Sequence, residues 1–134
     1  RQRQMCIRDR NYIWPVYGRI TSRFGYRSIF GSYSYHSGLD IAVPYGTSVK
    51  ASDGGTVTFA GYKGSYGYLV IINHGNGEQT YYGHNSSLLV SAGDKVYQGQ
   101  TIAKAGSTGR STGSHCHFEI RINGTAVNPA AYLN

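Results

Sequence analysis

The chain has 134 residues and carries 13 Lys and Arg against 6 Asp and Glu, a formal net charge of +7. Hydrophobic residues make up 40% and charged residues 14%, a composition too apolar for a disordered chain and consistent with a single domain. No apolar run approaches the ~18–20 residues that a membrane-spanning helix needs, and two cysteines are too few for a disulfide-stabilised miniprotein.

The first ten residues, RQRQMCIRDR, differ in character from the rest of the chain. They contain four arginines but no glycine, no turn signal and no strand alternation. We expect residues 1–10 to be a linker tail or a non-native segment, and residues 11–134 to form the domain. After residue 10 there is no run of Lys or Arg, so nucleic acid is not expected as a partner, whereas the mild positive charge suits an anionic surface.

From residue 11 onward, short apolar runs alternate with glycines, a pattern typical of short strands joined by turns. Strands are predicted at residues 56–60, 68–73, 79–82 and 116–122, and Asn123-Gly124 predicts a type I′ turn. No segment sustains a helical period. The prediction is an all-β, mainly antiparallel domain, either a small sandwich or a barrel, with Gly-rich loops around a groove.

Residues 46–57 and 93–103 share a rhythm: a glycine, two residues, a valine, a turn and a short apolar strand. The same rhythm occurs in lipoyl and biotinyl carrier domains, which favours a core like that of a barrel-sandwich hybrid. The carrier function itself is rejected, because no lysine lies at a tight hairpin tip beside Met or Ala.

Histidine and aspartate residues are spaced like metal ligands in two places. His36 and Asp40 are four residues apart, and His115 and His117 are two apart. In a strand, residues i and i+2 share a face, so His115 and His117 point the same way while Cys116 points into the core. A His and an Asp from one segment and a His from a distant strand form a set of three that zinc accepts, with a fourth position for water.

Four motifs, in this order, resemble those of the lysostaphin-type zinc metallopeptidases, also called LytM domains or metallopeptidase family twenty-three: HSGLDIA (36–42), PYGT (44–47), YGH (82–84) and residues 109–121, which end in HCHFEIR. The resemblance runs from about residue 14 to 129. It implies one zinc ion held by His36, Asp40 and His117, with His84 and His115 as catalytic residues. It also implies a peptidoglycan peptide as substrate and a secreted or cell-envelope location. We expect a monomer, with no membrane span within these 134 residues.

No HExxH glutamate accompanies these motifs, but a histidine can transfer the proton near neutral pH. We expect His115 to be the general base and His84 to donate to the developing oxyanion, although the two roles are exchangeable. Glu119 shares their face, where it is a carboxylate supporting the site, a general base or a purely structural residue. Tyr33 and Tyr35 are candidate substrate contacts, and His74 is expected to be structural.

Two positions depart from the usual pattern of these peptidases. Cys116 stands where leucine is usual, and as a small hydrophobe it fills a core position. Asn85 stands where an apolar residue is usual, which puts the local loop packing in question. An alternative function is a non-catalytic LytM-like domain that binds cell wall or activates other wall hydrolases. The presence of all five site residues favours the peptidase.

Overall fold

The computed structural model describes residues 12–29, 32–108 and 113–133, without the side chains of residues 26–29 and 32–35. The predicted tail at residues 1–10, and the side chains of Tyr33 and Tyr35, lie outside the described part. Within it, the chain forms twelve strands: β1 (Arg19–Ser22), β2 (Gly25–Ile29), β3 (Ser32–His36), β4 (Leu39–Ala42), β5 (Ser48–Lys50), β6 (Gly55–Tyr62), β7 (Tyr68–Gly75), β8 (Glu78–Leu88), β9 (Lys95–Val96), β10 (Thr101–Ala105), β11 (His115–Ile122) and β12 (Thr125–Val127). Two short 3₁₀ helices, Gly64–Tyr66 and Pro129–Ala131, complete the described elements.

One sheet of ten strands organises the molecule. Its main path runs β1-β4-β11-β8-β7-β6-β9, with β12 beside β11, and β10 joining β5 to β8. Strands β2 and β3 form a separate hairpin, and all pairings between these strands are antiparallel. The expected all-β, antiparallel class is confirmed. Over the described residues the sheet does not close into a barrel, because β1 and β9 end the path without pairing with each other.

The predicted turns and strands have clear local causes. The run Leu69 to Ile72 is fully apolar and buried, since β7 is paired on both sides by β6 and β8. Asn123 and Gly124 both have positive φ, 53° and 84°, as a type I′ turn requires, and this turn joins β11 to β12 as predicted.

Strand β11 separates the core from the site. Cys116, Phe118 and Ile120 are all fully buried in the hydrophobic core. The alternate residues, beginning with His115 and His117, face the other side, as strand alternation predicts. Cys116 is a free thiol, and burial raises its pKa to about 12.

His74 belongs to the packing of the sheet rather than to the site. Its Nδ1 donates to the Gly54 carbonyl oxygen at 2.7 Å, and its Nε2 lies 2.8 Å from Thr80 Oγ1. Both ring nitrogens are therefore engaged, in agreement with the expected structural role. Among the described residues, no helix has the length and apolar character needed to span a membrane.

Candidate metal centre

Three neighbouring strands of the large sheet and the end of the β2-β3 hairpin bring the predicted site residues together. His117 on β11 is in register with Asp40 on β4 and with Gly83 on β8. His36 ends β3, and His84 directly follows Gly83. Residues separated by as many as 81 positions in the chain therefore meet at one place on the sheet.

The three expected metal ligands are adjacent. His117 Nδ1 lies 2.8 Å from Asp40 Oδ1, and His36 Nε2 lies 3.2 Å from Asp40 Oδ2. One candidate ligand atom from each residue falls within 4.8 Å of the others. Two imidazole nitrogens and one carboxylate oxygen form a donor set that fits zinc, with room in its tetrahedral shell for a fourth ligand.

Backbone carbonyl oxygens fix the orientation of three of the site histidines. A carbonyl oxygen only accepts, so the Nδ1 that contacts it carries the proton, and the Nε2 is left with a lone pair when the ring is neutral. His36 Nδ1 donates to the Arg23 carbonyl oxygen at 3.0 Å. His84 Nδ1 donates to that of Thr108 at 2.7 Å, and His115 Nδ1 donates to that of Gly113 at 2.9 Å.

His84 and His115 stand together beside the three candidate ligands. Their ring centroids are 4.8 Å apart, and His115 Nε2 lies 3.6 Å from Asp40 Oδ1. His84 is buried and has φ of 64°, a left-handed conformation that costs a non-glycine residue about 1–3 kcal/mol. Strain of this kind concentrates at functional sites.

Burial and hydrogen bonding set the charges of the site. Burial opposes ionisation of Asp40, but its contacts with the His117 and His36 rings outweigh burial and hold the pKa of Asp40 well below its usual range. Burial alone would lower the pKa of His117, yet its bonds to Asp40 and Glu119 raise that pKa to about 9. For His84, burial dominates and lowers the pKa, which favours the neutral ring.

Glu119 lies fully buried behind His117, on the side of the ring away from Asp40. Burial would raise its pKa, but hydrogen bonds, first of all with His117, lower it to about 2. Both carboxylate oxygens are engaged by donors, so Glu119 does not face a substrate. Of the three roles open from the sequence, the general base is excluded by this position.

The structure adds residues that the sequence had not singled out. Ser37, Tyr66 and Arg121 surround Glu119, and the carbonyl of Thr108 holds His84. Only Arg121 carried a signal, because it lies two residues after Glu119 on the same strand face.

The departure at Asn85 has a local explanation. Asn85 is fully buried, and its Nδ2 donates to the carbonyl oxygens of Tyr82 at 2.8 Å and Tyr68 at 3.1 Å. A polar residue is accommodated here because the irregular pairing of β7 and β8 leaves carbonyl oxygens to be satisfied.

Comparison with known proteins gives consistent results. The profile described as peptidase family M23 matches residues 34–129. The chain is 50% identical over 118 residues to the DD-carboxypeptidase/endopeptidase Mpg of Neisseria meningitidis, covering 87% of this chain and 27% of that protein. It is 41% identical over 120 residues to the murein hydrolase activator EnvC of Escherichia coli, covering 90% of this chain and 28% of that protein. The chain thus spans less than a third of these relatives.

A solved structure agrees in fold. The crystal structure of a zinc-containing peptidase from Vibrio cholerae superposes with a TM-score of 0.83 at 36% identity, over 89% of this chain and 39% of that one. The family profile, the two relatives and this structure all match the part of the chain that holds the site residues.

Proposed function

The chain belongs to peptidase family M23, and on this premise we propose that it is a zinc-dependent endopeptidase that hydrolyses peptide stems or cross-bridges of bacterial peptidoglycan. The observation that carries the proposal is the convergence of five side chains at one place on the sheet: His36, Asp40, His84, His115 and His117. A domain that only binds a surface needs no such cluster.

His36, Asp40 and His117 would hold one zinc ion, the first through Nε2 and the last through Nδ1. Zinc bound there supplies Lewis-acid activation of water and of the scissile carbonyl. The hydrogen bond from His36 Nδ1 to the Arg23 carbonyl keeps the Nε2 lone pair directed at the centre.

His84 and His115 would carry the protons. Each donates its Nδ1–H to a carbonyl oxygen, so each presents a lone pair at Nε2 when neutral. Burial keeps His84 neutral, which suits a general base. The donor to the oxyanion is then His115, once protonated, and this order is the reverse of the one expected from the sequence.

A second candidate function is that of an activator, because the chain is also similar to a murein hydrolase activator. In that case the domain would bind the cell wall or activate other wall hydrolases without cutting a bond. The five site residues favour the peptidase, since an activator gains nothing from two histidines oriented beside three metal ligands. With either function the chain would act in the cell envelope or outside the cell, as a monomer.

The test uses the purified chain and sacculi of different bridge types. We expect about one zinc per chain, new amino termini in the sacculi, loss of hydrolysis on chelation and recovery with added zinc. Asp40→Asn should lose both zinc and hydrolysis. Asp94→Asn is the matched control, because that carboxylate caps an exposed turn through Ser91 N at 2.8 Å and should change neither.

The outcomes separate the two functions. His84→Ala and His115→Ala should keep zinc and lose about 10²–10⁴-fold in rate, the usual cost of a lost proton-transfer group. Hydrolysis at the full rate by the metal-free chain would refute the metal site. Zinc-loaded chain that releases no amino termini but stimulates another wall hydrolase would establish the activator instead.

A further inference from the structure

Glu119 makes an unusually complete set of hydrogen bonds for a buried carboxylate. Its side chain is fully buried. Oε2 accepts from three donors, each at 2.7 Å: Ser37 Oγ, Tyr66 OH and His117 Nε2. Oε1 accepts from Arg121, from Nε at 2.8 Å and from a terminal nitrogen at 2.7 Å. A buried charge is tolerated only with such compensation.

His117 differs from the other site histidines in how its ring is held. The rings of His36, His84 and His115 are each held by a neutral backbone carbonyl at Nδ1, and the Nε2 atoms of His36 and His115 lie 3.2 and 3.6 Å from Asp40. His117 is turned the other way, with Nδ1 beside Asp40 and Nε2 beside the carboxylate of Glu119. Its candidate ligand atom is therefore Nδ1, which is free to bind a metal only if the ring proton is on Nε2.

We propose that Glu119 is a positioning residue that holds a proton on His117 Nε2, so that Nδ1, beside Asp40, is the nitrogen left to present its lone pair to a metal bound at that centre. The inference rests on the proposed function, because it names what Glu119 does for a metal bound at that centre. A carboxylate offers only acceptors to Nε2, so the ring has no alternative but to donate there.

The donors around Glu119 explain why a carboxylate is needed and an amide would fail. In Glu119→Gln, an amide oxygen facing Ser37, Tyr66 and His117 would turn the amide NH₂ toward the donors of Arg121. The opposite orientation would put the NH₂ against His117 Nε2. That nitrogen would then have to accept, and the proton would move to Nδ1, where it blocks the metal.

The Glu119 carboxylate contacts both the segment that carries His36 and the ring of His117. Ser37 directly follows His36, and its hydroxyl bonds to Glu119, so the turn that carries His36 is fastened to β11. Tyr66 lies against the His117 ring, with centroids 5.7 Å apart, and closes the network from the other side. Arg121 completes it, donating to Tyr66 OH at 3.2 Å.

The first measurement is zinc affinity of the full chain, by competition with a chelator. We expect Glu119→Gln to bind zinc about 10–100-fold more weakly, the usual effect of removing such a partner of a ligating histidine. Glu78→Gln is the matched control, because it also replaces a buried carboxylate. Glu78 lies away from the site and accepts a hydrogen bond of 2.6 Å from Tyr12 OH, so this change should leave zinc affinity unchanged.

The second measurement reports the position of the ring proton. In the zinc-loaded chain, ¹H–¹⁵N NMR of the imidazoles should show His117 with a protected, low-field Nε2–H. We expect this signal to shift or to exchange with water in Glu119→Gln and to persist in Glu78→Gln. A purely structural role for Glu119 would leave the proton in place.

Two milder variants keep the inference testable if Glu119→Gln does not fold. Tyr66→Phe and Ser37→Ala each remove one donor to Oε2 and should weaken zinc binding less, in the same direction. Unchanged affinity and an unchanged Nε2–H signal in the foldable variants would overturn this inference alone. Failure of the unmodified chain to bind zinc would overturn the proposed function as well.

Discussion

At the residue scale, the least ordinary feature is the backbone of His84. Its φ of 64° lies in the left-handed region, although the residue has a full side chain. Two contacts hold it there: its own Nδ1 donates to Thr108, and the buried amide of the next residue, Asn85, bonds to two carbonyl oxygens. The strain places the imidazole next to His115, with ring centroids 4.8 Å apart.

This strain predicts an inverted order of stability for two substitutions. His84→Gly should be more stable than His84→Ala by about 1 kcal/mol, because only glycine adopts the left-handed region freely. Urea unfolding of both variants measures the difference. At Ser86, where φ is not positive, the order should be the usual one, with alanine more stable than glycine. Equal stability of the two His84 variants would show that the backbone there is not strained.

At the scale of elements, the turn between β3 and β4 is pressed against β11. A Cβ added at Gly38 would meet the Phe118 carbonyl oxygen and lie 2.8 Å from Glu119 Cγ. The turn carries Ser37 and connects His36 to Asp40, so its close approach brings the first two candidate ligands to the third. Glycine is needed here for space rather than for an unusual φ.

Gly38→Ala should therefore affect both the fold and the site. We expect a loss of about 1–3 kcal/mol in the free energy of unfolding, typical of overpacking, together with weaker zinc binding as the turn moves away from β11. Gly61→Ala is the control, since its Cβ would meet nothing nearer than the Phe59 ring at 3.6 Å. Thermal unfolding and chelator competition measure the two effects. An alanine variant with unchanged stability and affinity would refute the tight contact.

At the scale of the whole molecule, a buried chain of hydrogen bonds links several parts of the sheet. Tyr82 OH accepts from Ser52 N at 3.0 Å and bonds to Thr80 Oγ1 at 2.6 Å. Thr80 in turn contacts His74, which is fixed to the carbonyl of Gly54. These hydrogen bonds connect β8 to β7 and to the segment before β6. The Tyr82 phenol is buried among them, and burial raises its pKa to about 12.

The raised pKa of Tyr82 predicts that the free energy of unfolding falls at alkaline pH. The pKa of Tyr82 is higher in the folded chain than its ordinary value of 10.0, so its contribution is complete below pH 10 and is lost as pH rises toward 12. Urea unfolding across this range should show a falling free energy of unfolding. Tyr82→Phe should remove part of that slope and cost about 1–3 kcal/mol at neutral pH through the unpaired partners.

Tyr97→Phe is the matched control for this experiment, because Tyr97 is 70% exposed. It should change neither the slope nor the stability at neutral pH. A Tyr82→Phe chain with the full alkaline slope would show that other groups cause it.

Much of the fold and the site followed from local sequence patterns. Alternation in HCHFEIR placed His115 and His117 on one face and Cys116 in the core, because side chains in a strand repeat every two residues. The Asn123-Gly124 pair specified its turn, since few residues accept positive φ. Both signals are contained in a few adjacent residues and therefore survive in the sequence alone.

The tertiary structure decided what depends on register between distant segments. Asp40 meets His117 only because β4 pairs with β11 in that register, and a shift by one residue would turn one of them away. Glu119 acquires Ser37 and Tyr66, 82 and 53 residues away, only when the strands pack. No local period encodes such contacts, because they arise from the burial of the whole sheet. The sequence alone therefore identified the candidate site residues, whereas the burial of Glu119 and the orientation of the His117 ring depend on the packing of the strands.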